Sequence, residues 1–473
     1  RSVLGRFCLA GDLGGPDCRG PAIMKVPSSS RKRYLGGADW CVAALRQGTL
    51  ETTGRPITFH VAVFIAGRLD SARLQSRFQD YCTRFPLLWG RAARCWCLAP
   101  YWKNPADSAV RKAPFRHVED GDAATPAGVT RRIEELANDP DRLRGCAVAL
   151  ELLQGAAATG ALVFSFDHLL FDAAGAERFI DLFCRFADGR AADAEFPDPQ
   201  APEPAHLDQW NKRFASGQQL NRSLRELLPG ATANLELPVN ARRRPFRFRV
   251  LSLTAEETRR AQEQAFATAG YLMFTPYVLA TAAATLQPRF ARRVAPNADF
   301  IVTVSTSRLR PPGERAPHVF FNDLSFLYFG FPVAEAGERD ELARTLRDQM
   351  IAQVKAGMPA AIEDSNLLMR ILSPRAFWKF MFTFFRNRLS SFALTCLGDP
   401  LLKTNSVLGG TIRTHVHFPV IPVPPGLGLI LNRSGDVYHV VLSYLEGVLS
   451  EDEVATLLDE FRQRLLNGAS PEP

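Results

Sequence analysis

"FSFDHLLFDAAG", residues 164–175, places two ionisable groups, His168 and Asp172, four apart at the end of the chain's most apolar strand-like run. The residues leading into it, "GALVFSFDH" (160–168), are almost continuously apolar, the pattern of a strand buried on both faces. A histidine at such a strand end stands where loops build sites. Its ordinary pKa of about 6.5 suits proton transfer near neutrality. The plain alternative is a packed core histidine. Asp172 follows as the chain turns toward a helix, and a buried carboxylate needs a partner. The residues leave three roles open to it: orienting His168, pairing with an arginine to hold the loop, or capping the helix expected over 173–189.

Working outward, strand and helix signals alternate, which predicts an α/β protein. "ITFHVAVFIAG" (57–67) reads as a strand and residues 69–86 as a helix stopped near Pro86. "CAVALELLQG" (146–155) reads as the neighbour of 160–168. Residues 191–210 hold four prolines and five acidic residues without an apolar rhythm, the best linker in the chain. Strands are expected again at 246–253, 299–312, 322–332 and 436–444. Capping boxes at Thr254/Glu257 and Ser450/Glu453 open helices, the second running to about 466. The predicted organisation is a disordered tail over 1–33, an N-terminal lobe over 34–195, a linker over 196–235 and a C-terminal lobe over 236–468. Met24 is a candidate natural start within the tail.

The bulk numbers exclude several classes. A chain of 473 residues with 46% hydrophobic and 22% charged residues has the composition of a globular protein with room for two lobes. No stretch has the length and apolarity of a membrane span, and the first residues lack the pattern of a secretory signal. The net charge of +8 is concentrated in the tail. Residues 1–33 carry seven basic and two acidic residues, leaving +3 for the remainder, so no nucleic-acid partner is expected. Nine cysteines without metal spacing read as reduced thiols of a cytoplasmic protein.

The opening stretch resembles the His-His-x-x-x-Asp-Gly motif of the chloramphenicol-acetyltransferase-like superfamily, which includes peptide-synthetase condensation domains and wax-ester synthase/diacylglycerol acyltransferases. Other segments are similar to that last branch, in the same order. "LGGADWCVAAL" (35–45) resembles its Leu-Ser-x-x-Asp segment, and residues 54–91 resemble the strand and helix that follow. "FFNDLSFLYFGFP" (320–332) resembles its Gly-Asn strand, "FALTCLGDP" (392–400) its Ser-Asn-Val-Pro-Gly-Pro segment, and 418–449 its last strands. The resemblance implies two acetyltransferase-like lobes, each a mixed sheet flanked by helices, with an active-site tunnel between them. It implies His168 as general base and Asp172 as a structural carboxylate paired with an arginine of "STSRLRPP" (305–312), Arg310 in preference to Arg308 because it directly precedes the prolines. Asn322, Thr395 and Cys396 fall at positions that line the tunnel.

The expected activity is acyl transfer from a thioester, coenzyme A-linked or carrier-bound, to an alcohol or lipid acceptor, with no cofactor and no metal. A free-standing condensation enzyme and a silent acyl- or carrier-binding member are the alternatives. The chain departs from the motif at Asp167, where the first histidine would stand, and at Ala173, where the glycine would. Thr395-Cys396 replaces Ser-Asn. Asp167 either supports His168 or points away from it.

Three further features bear on partners. Residues 374–388 mix Arg375, Lys379 and Arg386 with aromatic side chains, a candidate peripheral membrane contact or a helix buried between lobes. "RRRPFRFR" (242–249) reads as a strand entry with its basic side in solvent. His415 and His417 share one face of a strand, and two such histidines bind zinc when a third ligand joins them. No third ligand is legible in the sequence, so they read as structural.

Overall fold

The computed structural model describes residues 33–94, 99–105, 111–155, 158–197, 209–227, 231–307, 318–384 and 390–467. Residues 1–32 of the tail expected over 1–33 and the candidate partner Arg310 lie outside the described residues, as do residues 385–389 of the basic aromatic segment; Arg33 begins a short strand, Arg33–Tyr34.

Strand Thr159–Asp167 lies inside a six-stranded sheet. Its order is 406–407, 410–419, 58–66, 159–167, 148–154 and 115–119, antiparallel except for the last, parallel pair. Period-two alternation gives the strand two different faces. Leu162, Phe164 and Phe166 point to one side, and Ala161, Val163 and Ser165 to the other, all buried. The phenylalanine side meets helices Ser71–Thr83 and Ala173–Ala187, building an aromatic core from Phe78, Tyr81, Phe85, Phe166, Phe179 and Phe183. Burying each such ring contributes about 1.5–3 kcal/mol. Tyr81 carries its polar end into this core by donating to the Phe179 carbonyl at 2.9 Å.

A second sheet has the order 324–332, 298–307, 392–396, 427–434, 437–445 and 246–252, with 231–232 added beside 298–307. Helices Ala255–Ala269, Phe274–Ala291, Arg339–Lys355 and Glu451–Leu466 flank it. Both expected capping boxes are present: Thr254 with Glu257 and Ser450 with Glu453 each exchange side-chain and backbone hydrogen bonds. A small third sheet joins 33–34, 100–103 and 91–94, and the whole is the α/β architecture that the alternation predicts.

Two features cut across the sequence-derived boundaries. Strand Gly410–Pro419 comes from the C-terminal half yet pairs with Thr58–Ala66 of the first sheet. The first sheet is therefore not built from one continuous stretch. The span read as linker, 196–235, contains an 18-residue helix, Trp210–Leu227, lodged against helix Met358–Met369. There Ser216 donates to Asp364 at 3.1 Å and Leu224 is buried. Low apolar content hides this helix in the sequence, because few buried positions suffice to seat a polar helix.

Candidate active site

The strand ends at Asp167, and the turn after it is closed by that residue. The Asp167 carbonyl accepts from Leu170 and Phe171 N–H, and its Oδ1 accepts from Leu169 N–H at 3.0 Å. Its Oδ2 lies 3.5 Å from an Arg46 guanidinium nitrogen on helix Gly37–Thr53. Asp167 thus shapes the turn and faces Arg46.

His168 follows, half-buried. Its ring meets Phe59 edge-on with centroids 5.1 Å apart. Its backbone is fixed by Asn322, whose Nδ2 donates to the His168 carbonyl at 3.0 Å. The Nδ1 atom is buried, and among the described residues it has no hydrogen-bond partner. The main chain is thus pinned while the imidazole stays only half-buried, so a proton donor meets the ring from its open side and not at the buried Nδ1.

Asp172 is the N-cap of helix Ala173–Ala187 and accepts from Gly175 N–H at 2.7 Å. Its other partners come from residues 318–323. His318 Nε2 lies 3.2 and 3.0 Å from its two oxygens, and Asp323 N–H donates at 2.9 Å. Arg178, on the same helix, donates to the His318 carbonyl at 2.9 Å and to Nδ1 at 3.3 Å. Donation to Nδ1 leaves the ring proton on Nε2, pointing at Asp172. Burial is the largest influence on the Asp172 carboxyl and pushes its pKa up. The hydrogen bond from His318, with the two backbone N–H groups, outweighs it and holds the carboxyl below its ordinary value.

The same short segment locks the turn from above. Asn322 N–H and Nδ2 donate to Asp39 Oδ1 at 2.8 and 3.1 Å, and Asp39 Oδ2 accepts from Gly36 N–H at 2.8 Å. Burial pushes the Asp39 carboxyl up, against these hydrogen bonds. Phe321 N–H donates to the Leu170 carbonyl, and Phe321 bridges Phe171. Phe321 sits at φ 71°, a left-handed conformation that costs an aromatic residue energy and persists only where surroundings over-determine it. Trp102 and the Arg33 guanidinium pack on its ring. Gly175 permits the close approach of the two segments, since a Cβ there would collide with the Val319 carbonyl oxygen.

Of the residues singled out in the sequence, the structure brings together Asp167, His168, Asp172 and Asn322. Thr395 and Cys396 lie on strand Phe392–Cys396 of the second sheet, where Thr395 Oγ1 is 3.0 Å from Ser305 Oγ. Among the described residues neither hydrogen-bonds His168. Burial pushes the Cys396 thiol up to about 12, so it stays protonated. His318 escapes a reading of the sequence, because a lone histidine 146 residues from Asp172 carries no signal of pairing. The third partner that His415 and His417 lack in the sequence is Glu177, on the helix that Asp172 caps.

In the basic aromatic segment, helix Pro374–Phe384 buries Phe377 and Trp378 and leaves Phe380 half exposed, while Arg375 pairs with Glu51 at 2.9 Å. No single described helix is long and apolar enough to cross a membrane. At 242–249, Arg247 is engaged by Glu134 and Glu446, each at 2.9 Å.

No protein-family model and no curated protein sequence matches the chain. Solved structures match over nearly its whole length. The first condensation domain of the calcium-dependent antibiotic synthetase is 17% identical with a TM-score of 0.67, covering 93% of this chain and 96% of its own. The trichothecene 15-O-acetyltransferase of Fusarium sporotrichioides is 12% identical with a TM-score of 0.69, covering 93% and 96%. Polyketide synthase associated protein 5 of Mycobacterium tuberculosis is 14% identical with a TM-score of 0.60, covering 92% and 98%. The chain shares the fold of these condensation domains and of the O-acetyltransferase.

Proposed function

We propose that the chain is an acyltransferase that moves an acyl group from a thioester to an alcohol acceptor, with His168 as general base. The observation that carries this reading is the half-buried imidazole of His168 at the strand end, on a turn held by Asn322, Asp39 and Asp172. The likeness in fold to condensation domains and an O-acetyltransferase supports it. In the proposed step the acceptor hydroxyl gives its proton to His168 as its oxygen adds to the thioester carbonyl. The C–S bond then breaks, and the departing thiolate takes the proton back from the imidazolium. A positioned base contributes about 10²–10⁴-fold, and the thiolate leaves readily, so orientation is the remaining demand. Asp172, with Asp39 and Asn322, keeps the turn rigid, and Arg310 is assigned to that brace by resemblance alone.

The donor is proposed to be an acyl-coenzyme A or an acylated carrier protein. The sequence resemblance to wax-ester and diacylglycerol acyltransferases supports a long-chain alcohol or diacylglycerol acceptor in the cytoplasm or at a membrane surface. A second reading, condensation on a carrier-bound intermediate, is supported by the condensation domains among the structural neighbours. The deciding experiment is thiol release from a panel of acyl-coenzyme A and acylated carrier donors with alcohol, diacylglycerol or amine acceptors. Release specific to one donor and acceptor pair, lost in His168→Ala, is expected. Equal release by the variant would sink the proposal.

A further inference from the structure

Helix Ala173–Ala187 carries a second ionisable group, Glu177, at 4% exposure. Its Oε1 lies 2.9 Å from His417 Nε2 and 3.3 Å from His415 Nε2. Its Oε2 accepts from Leu401 N–H at 2.5 Å, which commits one oxygen to the backbone and aims the other at both imidazoles. The histidines stand two apart on strand Gly410–Pro419, so they project from the same face. All three donor atoms lie within 4.8 Å of one another. Behind His415 stands a further contact, its Nδ1 at 3.0 Å from Ser434 Oγ on strand Leu427–Ser434 of the second sheet. His417 N–H and the His415 carbonyl are tied to the Asn432 side chain at 3.3 and 3.0 Å.

Tetrahedral zinc bonds of about 2.0–2.2 Å to nitrogen and oxygen hold neighbouring ligand atoms roughly 3.3 Å apart. The spacing here brackets that distance, so small side-chain shifts suffice. Two imidazoles and one carboxylate form a donor set for borderline first-row cations, zinc foremost. A hydroxyl on the far nitrogen of a ligating histidine is the outer contact that fixes its tautomer. A buried carboxylate needs compensating positive charge, and a dication between these three groups supplies it.

We propose that Glu177, His415 and His417 bind a divalent transition-metal ion of the zinc class. The ion joins the helix capped by Asp172 to the strand that the C-terminal half contributes to the first sheet, next to Ser434 of the second. The site does not depend on the acyl-transfer reading.

The test uses the full chain with any affinity tag removed, stripped with a chelator and titrated with cobalt(II), then zinc. One cobalt per chain with visible d–d absorption is expected, displaced by zinc, and the melting temperature of the reloaded protein should exceed that of the stripped one. Glu177→Gln and His417→Asn, with folding checked by circular dichroism, should lose the absorption. Ser434→Ala should weaken zinc binding about 10- to 100-fold. Should the ligand variants fail to fold, the stripped wild type decides alone. No cobalt absorption in the wild type, or absorption that persists in a folded ligand variant, overturns the site and leaves a Glu–His hydrogen-bond cluster.

Discussion

Asp172 faces His318 and not His168. Both of its oxygens lie within 3.2 Å of His318 Nε2, and no hydrogen bond reaches His168 among the described residues. The carboxylate therefore serves the geometry of the turn. His168→Ala and Asp172→Asn should then fail in different ways: the first leaves a folded chain without its base, and the second loosens the turn.

Removing the His318 imidazole should expose this dependence. His318→Ala takes the side-chain donor from a buried carboxylate, and such bonds contribute about 1.5–3 kcal/mol. Urea unfolding at neutral pH should show a loss of that size. Unchanged stability would mean that Asp172 draws its support elsewhere.

Gly175→Ala should be costly despite the small change. The added methyl meets the Val319 carbonyl oxygen, and backbone is poorly able to give way. A loss of about 1–3 kcal/mol is expected, as for overpacking elsewhere. Gly145 supplies the control, because it occupies a left-handed turn with open space around it. Thermal melts of Gly175→Ala beside Gly145→Ala separate crowding from backbone strain.

Acid should weaken the fold in two stages. His60 is fully buried, with Ser165 Oγ 3.0 Å from Nδ1, and burial, aided by the Arg142 charge, lowers its pKa to about 3. A depressed pKa means that the unfolded chain takes up a proton the folded one refuses. The stability contribution is therefore whole above about pH 6.5 and falls toward pH 3, at about 1.4 kcal/mol per pH unit. Asp172, whose folded pKa is also lowered, adds its loss only below about pH 4, as the pH drops through the folded value. Stability measured by urea at several pH values should slope in the upper window, and His60→Asn should flatten that slope. An unchanged slope in the variant would assign the protons to another group.

Asp167→Asn should be mild. The amide retains the oxygen that accepts from Leu169 N–H and loses only the attraction to half-exposed Arg46, worth about 0–1 kcal/mol. Acyl transfer is expected to change by less than about tenfold, compared with the 10²–10⁴-fold loss for the base itself. A loss as large as that of His168→Ala would make Asp167 part of the chemistry.

The parts of this protein legible in its sequence are those carried by local signals. Thr254 with Glu257 and Ser450 with Glu453 announce their helices because capping needs only residues three apart. Strand Thr159–Asp167 announces itself by its almost continuous apolar run, and His168 and Asp172 by following at its end. What stays hidden depends on distant residues meeting. His318 closes on Asp172 across 146 positions, and Glu177 meets His415 and His417 across 238 and 240. Strand Gly410–Pro419 gives no sign that its partner is Thr58–Ala66, because pairing choice is settled by the packed sheet and not by the strand's own residues.

The most direct test of the central claim is ester formation, followed by mass spectrometry, with wild type and His168→Ala incubated with the same acyl thioester and alcohol. The account predicts ester from the wild type and at least about a hundredfold less from a folded variant. Ester formed at equal rates by both would contradict it and remove His168 from the reaction.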